Sequence, residues 1–176
     1  MSRGGDRGNC VGLDTDRWPR LTALLLAYLA RHAPDENWVV TSIYVAFCKP
    51  NARTLENHRD KGNVGPSYLM GIGKSPFFLV FTLSVGNYDG GALRLPGRGA
   101  APFDVSIAAN RRRSGHPFFI FNARDELHGV ESFAGERVSV SYYALRHSAR
   151  LAPRDCARLT ALGFRFPTGE MKAGEL

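Results

Sequence analysis

The sequence predicts a mainly β domain with flanking helices, and three observations predict it. Short runs rich in Val, Ile, Phe, Tyr and Thr alternate with turn residues, and their starts recur at roughly the 8–12-residue spacing of β-sandwiches and barrels. One amphipathic helical pattern precedes these runs and a second, shorter one follows them. There is no internal repeat and no linker, so a single domain over 15–176 accounts for nearly all of the 176 residues.

Residues 1–14 hold four glycines and little apolar material, the composition of a flexible leader. Leu21, Leu24, Leu25, Tyr28 and Leu29 then fall on one face of a helix, with Pro19 suited to its first turn and Pro34 beyond its end. The β-type runs are 38–47, 54–57, 67–72, 77–85, 91–95, 103–108, 117–121, 127–131 and 137–145. Arg154 to Leu162 reads as the closing helix, with Cys156, Leu159 and Leu162 on one face and Gly163 as its stop.

Composition narrows the classes. An apolar fraction of 44% against 22% charged is that of a globular domain. The longest apolar stretches, Leu24 to Ala30 and Phe77 to Val85, fall well short of the ~20 residues that cross a bilayer. The polar stretch Met1 to Asn9 leads into no signal-peptide core. Cys10, Cys48 and Cys156 are far apart and make neither a disulfide framework nor a C-x-x-C pair, which points to a reducing intracellular compartment, nucleus or cytoplasm. Cys48, in an apolar run, reads as a small buried hydrophobe. A net charge of +7 and a pI near 9.7 suit an anionic partner such as nucleic acid, and equally an arginine-rich protein without one.

The chemistry-bearing residues begin at His58 and Asp60. In extended backbone, residues i and i+2 share a face, so an imidazole and a carboxylate project together. One more histidine from a distant strand completes the facial set of non-haem Fe(II) oxygenases. His128 supplies it, 68 positions after Asp60 (128 − 60), far enough for intervening strands to fold back beside the first pair. Three protein ligands leave three of six octahedral positions for a bidentate 2-oxo acid and O2. The far carboxylate of such an acid needs a fixed cation. The planar fork of Arg137 suits it, with the Ser139 hydroxyl on the same strand face. Taken singly, His58 and Asp60 are polar turn residues and Arg137 a surface arginine; their order along the chain makes a site of them.

His58, Arg59, Asp60, Lys61, Gly62 and Asn63, then Gly65, Pro66 and Ser67, Gly71 to Gly73, Gly90 to Leu93, Pro117 to Phe121, and His128 with Gly135, Glu136 and Arg137 together resemble the 2-oxoglutarate oxygenases related to the TET and JBP nucleic-acid hydroxylases. The resemblance covers nearly all of the β-rich part. It implies a double-stranded β-helix, a jelly-roll or cupin-like barrel, that holds Fe(II) at His58, Asp60 and His128 and uses 2-oxoglutarate and O2, with ascorbate as a reductant. It implies hydroxylation of the methyl group of a 5-methylpyrimidine base, coupled to decarboxylation of 2-oxoglutarate to succinate. Asn63, in the H-x-D-x-x-N form these enzymes share, is then a substrate-pocket donor or acceptor, or a residue that shapes the turn before Gly65 and Pro66. The chain lacks the large insert and cysteine-rich region of animal TET enzymes, which leaves the substrate open. A hydroxylase of a protein side chain or small molecule, or a barrel that binds without catalysis, would use the same strands.

Arg111, Arg112 and Arg113, with Arg94 and Arg98 in nearby loops, read equally as a row for nucleic-acid phosphates and as a solvated basic loop. Tyr68, Phe77 and Tyr88 are candidates to stack on a base, and each reads more readily as core. Gly71 to Ser75 imitates the end of a phosphate loop, but Tyr68 stands where its first glycine must be. His32, His116 and His147 have no carboxylate at ligand spacing and read as structural, His32 by meeting the negative end of the first helix.

Overall fold

The computed structural model describes residues 13–48, 55–72 and 88–167. The expected strand 77–85 with Phe77, Cys10, most of the expected leader and the Cys48 side chain lie outside the described residues. Leu13 and Asp14, the last two residues of the expected leader, belong to helix α1 (Leu13–Arg17).

Helix α2 (Pro19–His32) starts on a proline, whose fixed φ and missing N–H suit a first helical turn. It ends where the Ala33 N–H bonds the Leu29 carbonyl at 2.7 Å, one residue before Pro34. Its buried stripe is Leu26 and Leu29, flanked by Leu25 and Tyr28, while Leu21 and Leu24 are exposed. That is about a quarter turn from the expected face, at 100° per residue. Leu24, Leu25 and Leu26 stand in a row, so the local pattern allows two stripes. Packing chooses between them: Tyr28 meets Phe118 edge-on, and the Tyr142 hydroxyl donates to the Leu25 carbonyl at 3.1 Å.

Nine strands follow among the described residues: β1 (Ser42–Cys48), β2 (Leu55–His58), β3 (Asn63–Ile72), β4 (Tyr88–Gly90), β5 (Leu93–Arg94), β6 (Phe119–Phe121), β7 (His128–Val130), β8 (Phe133–Gly135) and β9 (Arg137–Leu145). They pair antiparallel in three sheets, ordered β1-β9-β3-β6, β2-β7-β5 and β4-β8. The fold is thus mainly β with flanking helices, as expected, but no sheet closes into a barrel among the described residues. The short pair β4 and β8 was not foreseen; three-residue strands carry too little pattern to register. Helix α4 (Pro153–Ala161) closes the fold, with Leu159 buried and Gly163 at φ +105° beyond it.

β9 organises the two layers. Alternate residues Val138, Val140, Tyr142 and Ala144 are buried, and Val140 and Tyr142 pack with Leu26, Leu29, Tyr68, Met70, Phe118 and Leu159 under the helices. The opposite face carries Arg137, Ser139, Ser141 and Tyr143. Ser141 stands opposite Leu69, which belongs to a second apolar cluster with Leu93, Leu95, Val105, Phe119 and Phe121. A polar strip therefore runs along one side of an otherwise apolar sheet.

Helix α3 (Ile107–Ser114) takes the last two residues of the strand expected over 103–108, and the other four form no ladder. Phe103 and Ser106 make only isolated bridges, to Leu93 and Gly71. Ser106 then caps the helix, its Oγ accepting from the Ala109 N–H at 3.2 Å, and two alanines and three arginines favour helix over strand. Asn110, 0% exposed, ties α3 to the sheet by donating to the carbonyls of Val105 and Pro117, both at 3.0 Å. No helix among the described residues is long and apolar enough to cross a membrane.

Candidate metal centre

His58 ends β2 and His128 begins β7, and the two are partners across that antiparallel pair, their rings 4.3 Å apart. The close approach depends on Gly129: a Cβ there would lie 2.8 Å from the Leu55 carbonyl oxygen and 2.6 Å from Asn57 Oδ1. Asp60 follows two residues after His58, its N–H held by the Ala123 carbonyl at 2.9 Å. Its carboxylate lies 3.7 Å from His58 Nε2 and 3.8 Å from His128 Nε2. The three ligand atoms fall within 4.8 Å of one another, as the expected triad requires.

Hydrogen bonding assigns the tautomers. His58 Nδ1 meets the Glu56 carbonyl and His128 Nδ1 meets the Glu126 carbonyl, each at 2.9 Å. A carbonyl only accepts, so both Nδ1 atoms carry a hydrogen and both Nε2 atoms face the carboxylate. Two imidazoles and one carboxylate form a donor set suited to a divalent transition metal. His128 is buried while His58 and Asp60 are more than a third exposed, so the centre opens on one side.

Asn63, expected in the substrate pocket, is buried and donates to Asp60 Oδ2 at 3.3 Å, while its N–H bonds the Asp60 carbonyl at 2.9 Å. It orients the carboxylate. Tyr143, at one end of the polar strip, has its phenol pushed up by burial and further by the charge of Asp60.

Arg137 is 4% exposed and forms no ion pair among the described residues. Its guanidinium lies 5.7 Å from the Tyr88 ring and 5.8 Å from the Phe133 ring, and its Nε is buried without a hydrogen-bond partner. Burial raises the Tyr88 phenol, against the charge of Arg137 and a hydrogen bond from it. Ser139 follows on the same face, opposite Gly71. Arg137 rests against Gly91, whose N–H bonds the Ser132 carbonyl. His128 stands four residues before Ser132, about 13 Å of near-extended chain.

The arginine row is not at this centre. Arg111, Arg112 and Arg113 lie on α3, whose Asn110 reaches the Leu69 carbonyl, six residues or about 20 Å along β3 from Asn63. Arg113 is committed to the fold, donating to Asn110 Oδ1 and the Asp104 carbonyl and lying over Phe103 and Phe119. Arg94 donates to the Leu55 carbonyl, and Arg98 to Glu126. Of the stacking candidates, Tyr68 is core and Tyr88 packs on Arg137. A cleft of about 740 Å³ lies elsewhere, between α2 and β1, and of the residues named above only Tyr143 joins it to the strip.

The residues missed by sequence reading are Tyr143, which feels the charge of Asp60, and the turn Asn122–Glu126 behind His128. Backbone carbonyls do that turn's holding, and no residue type signals a carbonyl. Comparison with known protein families, with curated proteins and with solved structures found no match.

Proposed function

We propose that this chain is an Fe(II)- and 2-oxoglutarate-dependent dioxygenase. The convergence of His58, Asp60 and His128, with both Nε2 atoms turned to one carboxylate, carries the reading. Arg137 supports the cosubstrate half, since a buried guanidinium with no carboxylate partner among the described residues is a fixed cation suited to an anion. The polar strip of Arg137, Ser139, Ser141 and Tyr143 between two apolar layers supports a double-stranded β-helix, whose interior would hold that diacid.

Iron, when bound, supplies the activation of O2 that couples decarboxylation of 2-oxoglutarate to hydroxylation, with ascorbate as a reductant. The chain's own residues do the rest. Glu56 and Glu126 fix the imidazole tautomers through their carbonyls, Asn63 orients Asp60, Arg137 and Ser139 receive the far carboxylate, and Tyr88 and Phe133 keep water from the guanidinium. The substrate in this reading is the methyl group of a 5-methylpyrimidine in nucleic acid. It rests on the resemblance of His58 to Asn63, and the exposed Arg59 and Lys61 on either side of Asp60 support a polyanion at the open side.

Succinate release by purified protein with Fe(II), O2 and 2-oxoglutarate tests this, comparing wild type with His58→Ala and Arg137→Ala, with and without a 5-methylcytosine oligonucleotide. Turnover raised by the oligonucleotide and lost in His58→Ala is expected. Turnover indifferent to nucleic acid would move the substrate to a protein side chain or small molecule. No turnover with any cosubstrate would overturn the reading.

A further inference from the structure

We infer that the Asn122–Glu126 turn, locked by a fork between Arg98 and Glu126, sets the orientation of His128 and Asp60, which makes Arg98 and Glu126 positioning residues of the metal centre. This rests on the metal-centre reading above. Three carbonyls of that one turn hold both ligand segments. Glu126 takes the His128 Nδ1 proton at 2.9 Å, Ala123 takes the Asp60 N–H at 2.9 Å, and Asp125 takes Arg59 Nε at 3.0 Å. A small rotation of the turn would therefore move a histidine and a carboxylate together.

The turn is itself fixed at both ends. Asn122 Oδ1 accepts from the N–H groups of Arg124 and Asp125 at 3.2 and 3.3 Å, and the Glu126 N–H returns to the Asn122 carbonyl at 2.8 Å. The Glu126 side chain closes the ring, its Oε1 accepting from the Asn122 N–H at 2.7 Å. Arg98 then grips that carboxylate twice, Nε to Oε2 at 2.5 Å and Nη2 to Oε1 at 2.7 Å. It also lies 5.8 Å over the ring of Phe119, in the strand that leads into the turn.

The pair is partly exposed, and ion pairs of that kind add little to global stability. A two-point fork is nevertheless directional, because both oxygens and both nitrogens must stay coplanar. Its loss should show at the metal and not in the melting temperature.

The test is Co(II) titration of the full chain by visible absorption, with wild type, Arg98→Gln, Glu126→Gln and the double variant, each checked for fold by circular dichroism. Gln at 126 keeps an acceptor for the Asn122 N–H and breaks only the fork. Each single variant should weaken Co(II) binding by about 10–100-fold, the usual cost of losing an outer partner of a metal ligand, with the melting temperature nearly unchanged. The double variant should be no worse than the weaker single one. Long-range proton–nitrogen NMR of the metal-free protein should show His128 wholly as the Nδ1–H form in wild type and as a mixture in the variants. Should Glu126→Gln fail to fold, Arg98→Lys, which keeps the charge without the fork, carries the same expectation. Affinity and tautomer unchanged in folded variants would overturn the inference, whereas a wild type that takes up no Co(II) would overturn the metal centre with it.

Discussion

His58 and His128 are cross-strand partners that each give the Nδ1 proton to the main-chain carbonyl two residues earlier. The two imidazoles are thus presented in the same way from opposite strands, and whatever spreads β2 from β7 separates them.

Gly129→Ala should do so. The new methyl would press on the Leu55 carbonyl oxygen, a backbone atom that cannot swing aside. Metal affinity should fall although Gly129 is no ligand, while the β1-β9-β3-β6 sheet stays intact. Co(II) titration alongside circular dichroism checks this; wild-type affinity in Gly129→Ala would show that the strands tolerate the spread.

Arg137→Met should leave the cosubstrate-free protein as stable as wild type or more so, because it removes a buried charge that has no ion-pair partner among the described residues. In wild type with Mn(II), 2-oxoglutarate at 100 times its dissociation constant should add about 2.7 kcal/mol. At roughly 2–4 °C per kcal/mol for a chain of this size, that is a melting shift of several degrees. The shift should vanish in Arg137→Met, and a full shift in the variant would remove Arg137 from the cosubstrate site.

Asn110→Ala should destabilise the fold by about 1–3 kcal/mol by leaving the Val105 and Pro117 carbonyls without their donor. Asn110→Asp should cost more, since a carboxylate oxygen would face those same carbonyls. Chemical denaturation of the two variants measures the order, and equal losses would mean that the cavity outweighs the hydrogen bonds.

Burial holds the His116 imidazole below its ordinary value, against a hydrogen bond with the Phe118 backbone. The unfolded chain then takes up the proton more readily than the folded one. The stabilising contribution is complete above about pH 6.5 and is lost as pH falls through the folded value. Thermal melts across that interval should show a shallower loss on acidification in His116→Gln than in wild type, and parallel curves would assign the acid sensitivity to other groups.

Much of this was legible in the chain. Arg137 to Leu145 alternates β-branched and aromatic residues with small polar ones, and β9 has those bounds. His58 and Asp60 were readable as a pair because a spacing of two is geometry in extended backbone. The hidden parts are those where local pattern competes with something stronger. Phe103, Val105 and Ile107 alternate like a strand, yet the Ser106 cap turns the chain into α3. The leucine row of α2 permits two faces, and packing against the sheet and α4, Phe118, Tyr142 and Leu159 among it, decides which is buried. A run of three arginines says that a surface is basic and nothing about where it lies, which here is beside Leu69, six residues along β3 from Asn63.

β9 serves two masters, with Tyr142 and Val140 turned to the helices and Arg137, Ser139 and Tyr143 turned to the polar strip. A slip of one residue against β1 or β3 would exchange the two sets, pushing a guanidinium into the helix-side core and exposing the tyrosine that fills it. Misassembly of the polar strip is therefore also misassembly of the core. The fold proofreads its own register: a chain that packs its helices correctly has already aimed Arg137 away from them.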